Sequence, residues 1–345
     1  MIQCLKFRSY CLEFMKNIIK KIRRIVAENV TMYVSFGFIV SSRLLFLHIK
    51  NKLGVISFGE YEEKKHPIIE NYLIKKGYRD ILIKSYNLSG SVVDSSEKSS
   101  SIWFCWLQGE ENMPDLVKVC YSKLKENSGC HEVVLITSNN YSKYVEIPLV
   151  IEEKYKQGKL LPAHFADLLR LKLLLRYGGL WIDSTIYTTA PLPEYMFEEN
   201  FFSIKNKKLR EDNSISYYRW CSFVLGHKRP VIKALSIAFQ KYIENEKSFI
   251  HYLLIDYMID LLYKNVEDFR LFIDETPIRE QNLHSLRNYM NAEYDDEMYR
   301  NLLSNTTVFK LTYKGRFYEK QEDGKETFYG HLIGEKLKDI SCGCK

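Results

Sequence analysis

Short apolar runs alternate with helical apolar spacing through the middle of the chain. Residues 102–107 (IWFCWL) and 132–137 (EVVLIT) have the length and the β-branched or aromatic content of buried strands. Between them, residues 116–124 carry apolar side chains at helical spacing. Because a strand–helix–strand order brings two strands into a parallel pair with a right-handed crossover, the pattern predicts an α/β fold with a sheet flanked by helices.

The next segment predicts a buried helix followed by a third strand. Pro162 is tolerated in the first turn of the helix AHFADLLRLKLLLRY, and Gly178 and Gly179 supply the positive-φ positions that end it. This helix is apolar on most sides, which indicates burial. Residues 180–187 (LWIDSTIY) alternate with a period of two. The alternation places these side chains on one face of the strand: Trp181, Asp183, Thr185 and Tyr187.

The C-terminal half gives coarser predictions. Three apolar segments are predicted as strands, at residues 201–205, 220–227 and 307–314. Two segments with helical spacing are predicted as helices, at residues 230–245 and 250–264. These elements complete one domain of catalytic size.

Composition divides the rest of the chain. Residues 1–84 are predicted as a helical extension, and its first 52 residues are basic, with ten Lys and Arg against two Glu. Residues 85–101 are rich in serine and lack an apolar period, which predicts a linker or exposed loop. The domain itself is expected at residues 102–335, followed by a tail at 336–345.

One N-terminal stretch approaches the length of a membrane span. Residues 30–49 are largely apolar, and a span requires about 20 such residues. Arg43 and His48 lie inside the stretch, and a charge near the centre of a span is unfavourable. The pattern therefore favours an amphipathic helix, either packed on the domain or lying on a membrane, over a true span.

Charge and composition narrow the classes of partner. The basic end suits an anionic membrane surface, whereas no basic run has the interleaved design of a nucleic-acid module. The sequence lacks a secretory signal pattern, so we expect a cytoplasmic protein, peripheral at the inner face of the membrane. Eight cysteines form no paired metal-binding spacing, and phosphate-loop, metalloprotease and hydrolase motifs do not occur.

Three charged residues stand out within the apolar elements. Asp167 and Arg170 are three residues apart, so they share one face of the buried helix, with His164 on the same side. Buried charges are paired or used, so the two form either an internal ion pair or part of a site. Asp183 lies near the carboxyl end of the third strand, where open α/β sheets bind ligands. It is there either a ligand for Mg²⁺ or Mn²⁺ or a turn residue.

These residues carry a resemblance to a known family. The ordered set WLQG at 106–109 followed by AHFADLLRLKLLLRYGGLWIDSTIY resembles the capsular polysaccharide synthesis proteins. It is more distantly similar to the DXD-containing sugar transferases, which include initiating mannosyltransferases and clostridial glucosylating toxins. The similarity covers roughly residues 102–335. It implies a GT-A-like fold, in which a mixed sheet flanked by helices binds a nucleotide-diphosphate sugar.

The resemblance also implies roles for individual residues. Trp106 would stack on the donor base, with Gly109 in the same nucleotide site, and Trp181 would lie beside the nucleotide. Asp167 would bind ribose or donor-sugar hydroxyls, and Arg170 the sugar or its phosphate. The implied catalytic residues are Asp167, Arg170 and Asp183.

One position departs from the motif. Asp183 matches the first carboxylate of DXD, but Thr185 stands in place of the second. Mn²⁺ or Mg²⁺ is then either held by Asp183, Thr185 and the diphosphate, or replaced by cationic side chains that neutralise the leaving group. Lys310 and Lys314 are either the residues that contact the diphosphate, since the resemblance places the C-terminal strand over it, or ordinary surface lysines.

The resemblance implies a hexosyltransferase that retains the anomeric configuration and extends a capsular or cell-surface polysaccharide. Its expected partners are a nucleotide-sugar donor, an oligosaccharide or lipid-linked glycan acceptor and the inner membrane surface, without nucleic acid. Two alternatives stay open: a sugar-phosphate transferase of cell-surface polymers, and an inactive membrane-associated scaffold with the same fold. Asp256, Asp260 and Glu293 are carboxylates that either contact the acceptor or are solvated helix residues.

Overall fold

A computed structural model describes residues 30–88, 101–198, 201–206, 214–226, 229–304 and 306–334. Three predicted segments lie wholly or largely outside these ranges: the first 29 residues of the extension, residues 89–100 of the linker, and the tail at 336–345. The helices described are α1 Val30–Lys52, α2 Phe58–Lys75, α3 Tyr78–Asn87, α4 Asp115–Glu126, α5 Tyr141–Tyr144, α6 Leu149–Lys156, α7 Pro162–Tyr177, α8 Tyr195–Glu198, α9 Arg229–Asn245, α10 Leu254–Asn265, α11 Glu267–Glu275 and α12 Asp296–Leu303. The strands described are β1 Ile102–Cys105, β2 Val133–Ile136, β3 Leu180–Ile182, β4 Ile186–Thr188, β5 Phe202–Ser203, β6 Val224–Gly226 and β7 Val308–Lys310.

A five-stranded mixed sheet forms the centre, in the order β2-β1-β3-β6-β5. Strand β1 pairs in parallel with β2 and with β3, whereas β6 runs antiparallel to both β3 and β5. The apolar runs of β1 and β3 are buried along their whole length, as a central strand covered on both faces requires. The predicted α/β class, with a mixed sheet flanked by helices, is confirmed.

The predicted third strand is wrong as one continuous element. It ends at Ile182, and a turn follows in which the Ile186 N–H donates to the Asp183 carbonyl at 2.9 Å. After this turn β4 leaves the central sheet and pairs antiparallel with β7 in a second, two-stranded sheet. The sequence pattern did not predict this turn, because Asp183, Ser184 and Thr185 fit an alternation with a period of two, although such residues also favour turns.

The junction between α7 and β3 depends on a glycine. Gly178 ends α7 with its N–H bonded to the Leu174 carbonyl, and Gly179 follows at φ +83°. A side chain at Gly179 would place its Cβ 2.3 Å from the Ser101 carbonyl oxygen, which no real contact allows. The predicted stop at this pair is confirmed, and it lets β3 pair directly beside β1.

The later elements are shorter than the sequence predicts. Strands β5, β6 and β7 have two or three residues each, against five to eight in the predictions. The second late helix begins at Leu254 rather than at residue 250, because Tyr252 and Leu253 lie in an exposed turn before it. That turn borders the cavity described below.

Helices α2 and α3 share the core of the domain. Ile69 and Leu73 of α2 and Leu82 of α3 are fully buried in the same apolar cluster as Phe165 of α7. The division of the chain into an extension and a domain stays a prediction.

Helix α1 packs one of its sides on α2. Its backbone leaves the helical conformation at Gly37 (φ 78°, ψ 167°), and the Phe36 ring meets the Tyr72 ring edge-on at 5.2 Å. Within the described ranges, residues 32–52 are the one helical segment that is long and apolar enough to cross a membrane by length and composition, with a mean hydropathy of 1.5.

Candidate active site

A cavity of about 490 Å³ opens at the carboxyl ends of β1 and β3. This is the side of an α/β sheet at which ligands bind, and the volume is in the usual range for small-molecule sites. Most of the residues singled out by sequence line this cavity: Trp106, Asp167, Arg170, Trp181, Asp183, Thr185, Lys310 and Lys314. Elements distant in sequence therefore bring one set of side chains together.

Arg170 connects the two acidic residues. From α7, its guanidinium donates to the Asp167 carboxylate one turn earlier and to the Ser222 carbonyl. One of its nitrogens lies 3.8 Å from Asp183 Oδ1, and its guanidinium carbon lies 5.3 Å from the centre of the Trp181 ring. Only 4% of Arg170 is exposed, so these contacts fix its orientation. The guanidinium thus bridges an acid of its own helix and the backbone before β6, at the wall of the cavity.

Asp183 occupies the end of β3 and receives donors from two sides. The Trp181 indole N–H donates to Oδ1 at 2.8 Å, and Lys310 Nζ donates to Oδ2 at 2.8 Å. Pairing of β4 with β7 sets Lys310 opposite Ile186, and the Leu311 N–H donates to the Thr185 carbonyl at 2.9 Å. The second sheet thus holds Lys310 over Asp183, a contact 127 residues apart in sequence.

The two carboxyl groups have opposite pKa shifts. Burial raises the pKa of Asp167 to about 6, although Arg170 acts against the rise. Burial also raises the pKa of Asp183, but Lys310 and Arg170 outweigh it, and the net pKa lies below the ordinary value. Asp183 is therefore an anion at neutral pH, and Asp167, which is paired with Arg170, titrates closer to neutral pH than Asp183 does.

Trp106 and its neighbours form the rim at the end of β1. The Trp106 indole N–H donates to the Asn112 carbonyl at 3.2 Å, and its ring meets Tyr313 edge-on at 5.5 Å. Gly109 does not line the cavity. Its φ of +92° and its N–H bond to the Trp106 carbonyl, at 3.1 Å, close the turn that holds the tryptophan. Lys314 lies on the exposed side of the rim, next to Tyr313.

Sequence reasoning missed several residues of the cavity. Tyr252 and Leu253 come from the turn before α10, Ser222 and Phe223 from the segment before β6, and Arg287 from a short 3₁₀ turn. None of them belongs to a motif. Ser222 and Phe223 fall in the segment predicted as a strand at 220–227, and Tyr252 and Leu253 in the one predicted as a helix at 250–264, but both elements begin later in the structure. Only the tertiary fold brings these residues to the carboxyl end of β3.

The carboxylates suggested for acceptor contact do not line the cavity. Asp256 is 5% exposed and accepts bonds from Ser222 Oγ at 3.0 Å and Trp220 Nε1 at 3.1 Å, and burial raises its pKa to about 6. Asp260 is 2% exposed and pairs with Arg219 and Lys264, each at 2.8 Å. The solvated-helix alternative is wrong for both. Asp256 instead supports the segment whose carbonyl binds Arg170.

The structure also places His164 and Glu293, the two remaining polar residues that the sequence analysis named. His164 does not line the cavity: its ring stacks on Phe249 with the ring centres 3.6 Å apart, its Nε2 lies 3.3 Å from the Tyr252 carbonyl oxygen, and burial lowers its pKa to about 4. Glu293 is half-exposed, pairs with Lys325 at 2.8 Å and does not line the cavity, so it is a solvated residue, although it lies outside the helices.

The side chains around Asp183 do not fit a divalent cation. Mg²⁺ in such sites takes about six oxygen ligands, of which one or two come from carboxylates and the others from substrate phosphates and waters. Here one carboxylate and the Thr185 hydroxyl are the oxygens of the motif, and the carboxylate already accepts from Trp181 and Lys310. Arg170 and Lys310 flank it, so a dication would meet like charges on both sides.

The fold indicates a class. A mixed sheet flanked by helices is consistent with a GT-A-like glycosyltransferase fold. The chain belongs to the capsular polysaccharide synthesis protein family, whose sequence profile matches residues 54–332. The resemblance predicted from the motif is thereby confirmed.

A curated relative points in the same direction. The chain is similar to O-glycosyltransferase PaGT of Phomopsis amygdali, with 29% identity over 100 residues. The match covers 26% of this chain and 25% of that protein, so the chain spans only about a quarter of the relative's length. Family and relative together support glycosyl transfer in general terms.

Proposed function

We propose that the protein transfers a hexose from a nucleotide-diphosphate sugar to a hydroxyl group of a growing capsular or cell-surface polysaccharide. The observation that carries this proposal is the meeting of Asp167, Arg170 and Asp183 in one open cavity rimmed by Trp106 and Lys314. A guanidinium suits phosphate, a carboxylate suits vicinal hydroxyls and an indole suits a flat base. Membership of the capsular polysaccharide synthesis family supports the polymer as acceptor.

The reaction exchanges one carbon–oxygen bond for another. The acceptor oxygen bonds to the anomeric carbon, and the bond from that carbon to the diphosphate breaks. The electron pair leaves with the nucleoside diphosphate, and the acceptor's proton passes to the departing phosphate oxygen. In this scheme, which keeps the anomeric configuration as the resemblance implies, Arg170 orients the donor and Asp167 binds its hydroxyls, while preorganised cations stabilise the leaving charge.

Nucleotide binding gives a direct test. At a concentration of 100 times Kd, a ligand that binds only the native protein stabilises it by about 2.7 kcal/mol. We therefore expect at least one of the UDP- and GDP-sugars to raise the melting temperature by several degrees, measured by differential scanning fluorimetry. The matching free sugars serve as controls and should give no shift. A flat response to every nucleotide, or a phosphodiester in the product mass, would contradict glycosyl transfer.

We further propose that the protein works at the cytoplasmic face of a membrane, on a lipid-linked acceptor. The side of α1 that faces away from α2 carries Phe38, Ile39 and Phe46, which are 76%, 69% and 58% exposed. At helical spacing Arg43 and Lys50 lie on the same side, and residues 30–59 contain no Asp or Glu. An apolar face beside cations suits the anionic cytoplasmic leaflet.

The other side of α1 argues against a span. Phe36, Ser41, Leu44 and Leu45 are buried against the protein, and Phe36 and Leu44 join its main core. A helix that packs one side against its own domain is not surrounded by lipid, as a single membrane-spanning helix is. The contact with the membrane is therefore proposed as a surface contact.

Vesicle binding tests the surface contact. We expect the chain to sediment with vesicles of phosphatidylcholine containing 30% phosphatidylglycerol, and less in 0.5 M salt. The double variant Ile39→Ser, Phe46→Ser should bind more than about tenfold more weakly, because each side chain loses its transfer into the interface. The matched control is Leu271→Ser, Ile278→Ser, two similarly exposed apolar residues elsewhere. Equal binding of both double variants, or self-association through this face without vesicle binding, would rule the contact out.

A further inference from the structure

We propose that Lys310 takes the place of a divalent metal in this site, and that Lys314 and Arg287 complete the binding of the donor's diphosphate. The inference rests on the proposed function, since it names how the same cavity binds its donor. It predicts that nucleotide binding and transfer proceed without Mn²⁺ or Mg²⁺.

The first observation is the position of the Lys310 ammonium. Its Nζ lies 2.8 Å from Asp183 Oδ2 and 4.6 Å from the centre of the Phe223 ring. The main chain of Lys310 is fixed as well, because its N–H donates to the Leu283 carbonyl at 2.7 Å and its strand pairs with β4. Lys310 is therefore a preorganised cation at the end of β3, unlike a surface lysine with a free side chain.

The second observation is what this ammonium leaves available. An ammonium has three donors, and Asp183 uses one of them. The Lys310 side chain is 20% exposed at the cavity wall, so donors are left for phosphate oxygens. A cation held by a carboxylate, with its remaining bonding positions facing the ligand, has the role that a bound metal has in a diphosphate site.

The third observation is the charge of the cavity. Among the residues that the structure describes, its lining holds four cations, Arg170, Arg287, Lys310 and Lys314, against two carboxylates, Asp167 and Asp183. The excess of two positive charges matches the two negative charges of a sugar nucleotide's diphosphate. A dication added to this set would over-compensate the ligand and face Lys310 and Arg170 at close range. The replacement of the second DXD carboxylate by Thr185 is consistent with this balance, since a metal ligand is not needed there.

Calorimetric titration with UDP and GDP, in EDTA and in Mn²⁺, tests the inference. The wild-type protein should bind one of them with a Kd that differs by less than about threefold between the two conditions. Lys310→Met should weaken binding in EDTA by about tenfold or more, because a charge-assisted bond to phosphate is lost. Lys314→Met, on the exposed rim, is the second variant, and it should weaken binding in EDTA even if Lys310→Met does not fold.

A conversion experiment sharpens the test. In the Lys310→Met background, Thr185→Asp restores the second carboxylate and should recover nucleotide binding only when Mn²⁺ is present. Ser184→Asp in the same background is the matched control, since it adds the same charge one residue away and should not recover binding. Mn²⁺ uptake by the Thr185→Asp, Lys310→Met protein, followed by electron paramagnetic resonance, gives a readout independent of transfer.

The outcomes separate this inference from the proposed function. Wild-type binding that is at least tenfold tighter in Mn²⁺ than in EDTA would overturn the role of Lys310 and leave the proposed function standing. Unchanged nucleotide affinity in both lysine variants would do the same. If neither nucleotide binds under either condition, the donor site itself is wrong and both proposals fail together.

Discussion

Replacing Asp183 by asparagine is expected to lower the rate of sugar transfer by about a hundred- to a thousandfold, the usual cost of losing one preorganised group in a catalytic site. The amide is nearly the same shape, so its oxygen still accepts from Trp181. Its other terminus becomes an NH₂ group that faces the Lys310 ammonium, a donor against a donor, at the position of a 2.8 Å ion pair. Lys310 and Arg170 then lose the anion that sets their positions.

The measurement is the initial rate with the donor identified by thermal shift, together with the melting temperature. Asp183 is partly exposed, so the fold should survive the change. Asp296→Asn is a matched control, because that residue forms a surface ion pair with Arg300 at 3.6 Å and lies outside the cavity. A rate for Asp183→Asn equal to that of the control would show that the cavity is not the site of transfer.

The central elements of the fold were predictable because each has a strong local signal. The apolar runs at β1 and β2 predicted strands correctly, although β2 is an edge strand and three of its four residues are only half-buried. The proline and glycine at the ends of α7 give its bounds to the residue. The weaker elements were not, since β5, β6 and β7 are two or three residues long and have no period that a sequence can display. Their positions are determined by pairing with strands distant in sequence.

The turn after Ile182 shows why local pattern alone misplaced part of the site. Alternation set Tyr187 beside Asp183, yet the turn sends Tyr187 into another core, where its hydroxyl lies 3.2 Å from that of Tyr299. The same turn is what exposes Asp183 to the cavity. A local propensity for turn formation, carried by three polar residues in an apolar strand, was the signal for it.

The part of the candidate site that lies on α7 and at the end of β3 was predictable from the sequence. Asp167 and Arg170 were placed by helical spacing, and Asp183 by its position at a strand end. The ion pair of Asp183 with Lys310 was not derivable, since it depends on a second sheet formed across 127 residues. The hydrogen bond from Ser222 to Asp256 was not predictable for a related reason. An acid within an apolar helix indicates that it has a polar partner, but the sequence does not show which residue that partner is.

Replacing Arg170 by lysine should cost both stability and donor affinity, because charge alone does not reproduce its contacts. Two nitrogens of the guanidinium donate to Asp167 and to the Ser222 carbonyl at the same time. A lysine side chain is shorter and ends in one nitrogen, which does not span both acceptors. Leaving a buried polar group unpaired costs about 1–3 kcal/mol, so the urea midpoint should fall and donor binding should weaken more than tenfold. Arg176→Lys, on the exposed side of the same helix, is the matched control and should change neither. If the two variants behave alike in urea denaturation and in donor titration, Arg170 does not organise the site, and the joining of Asp167 to Asp183 through its guanidinium has no functional meaning.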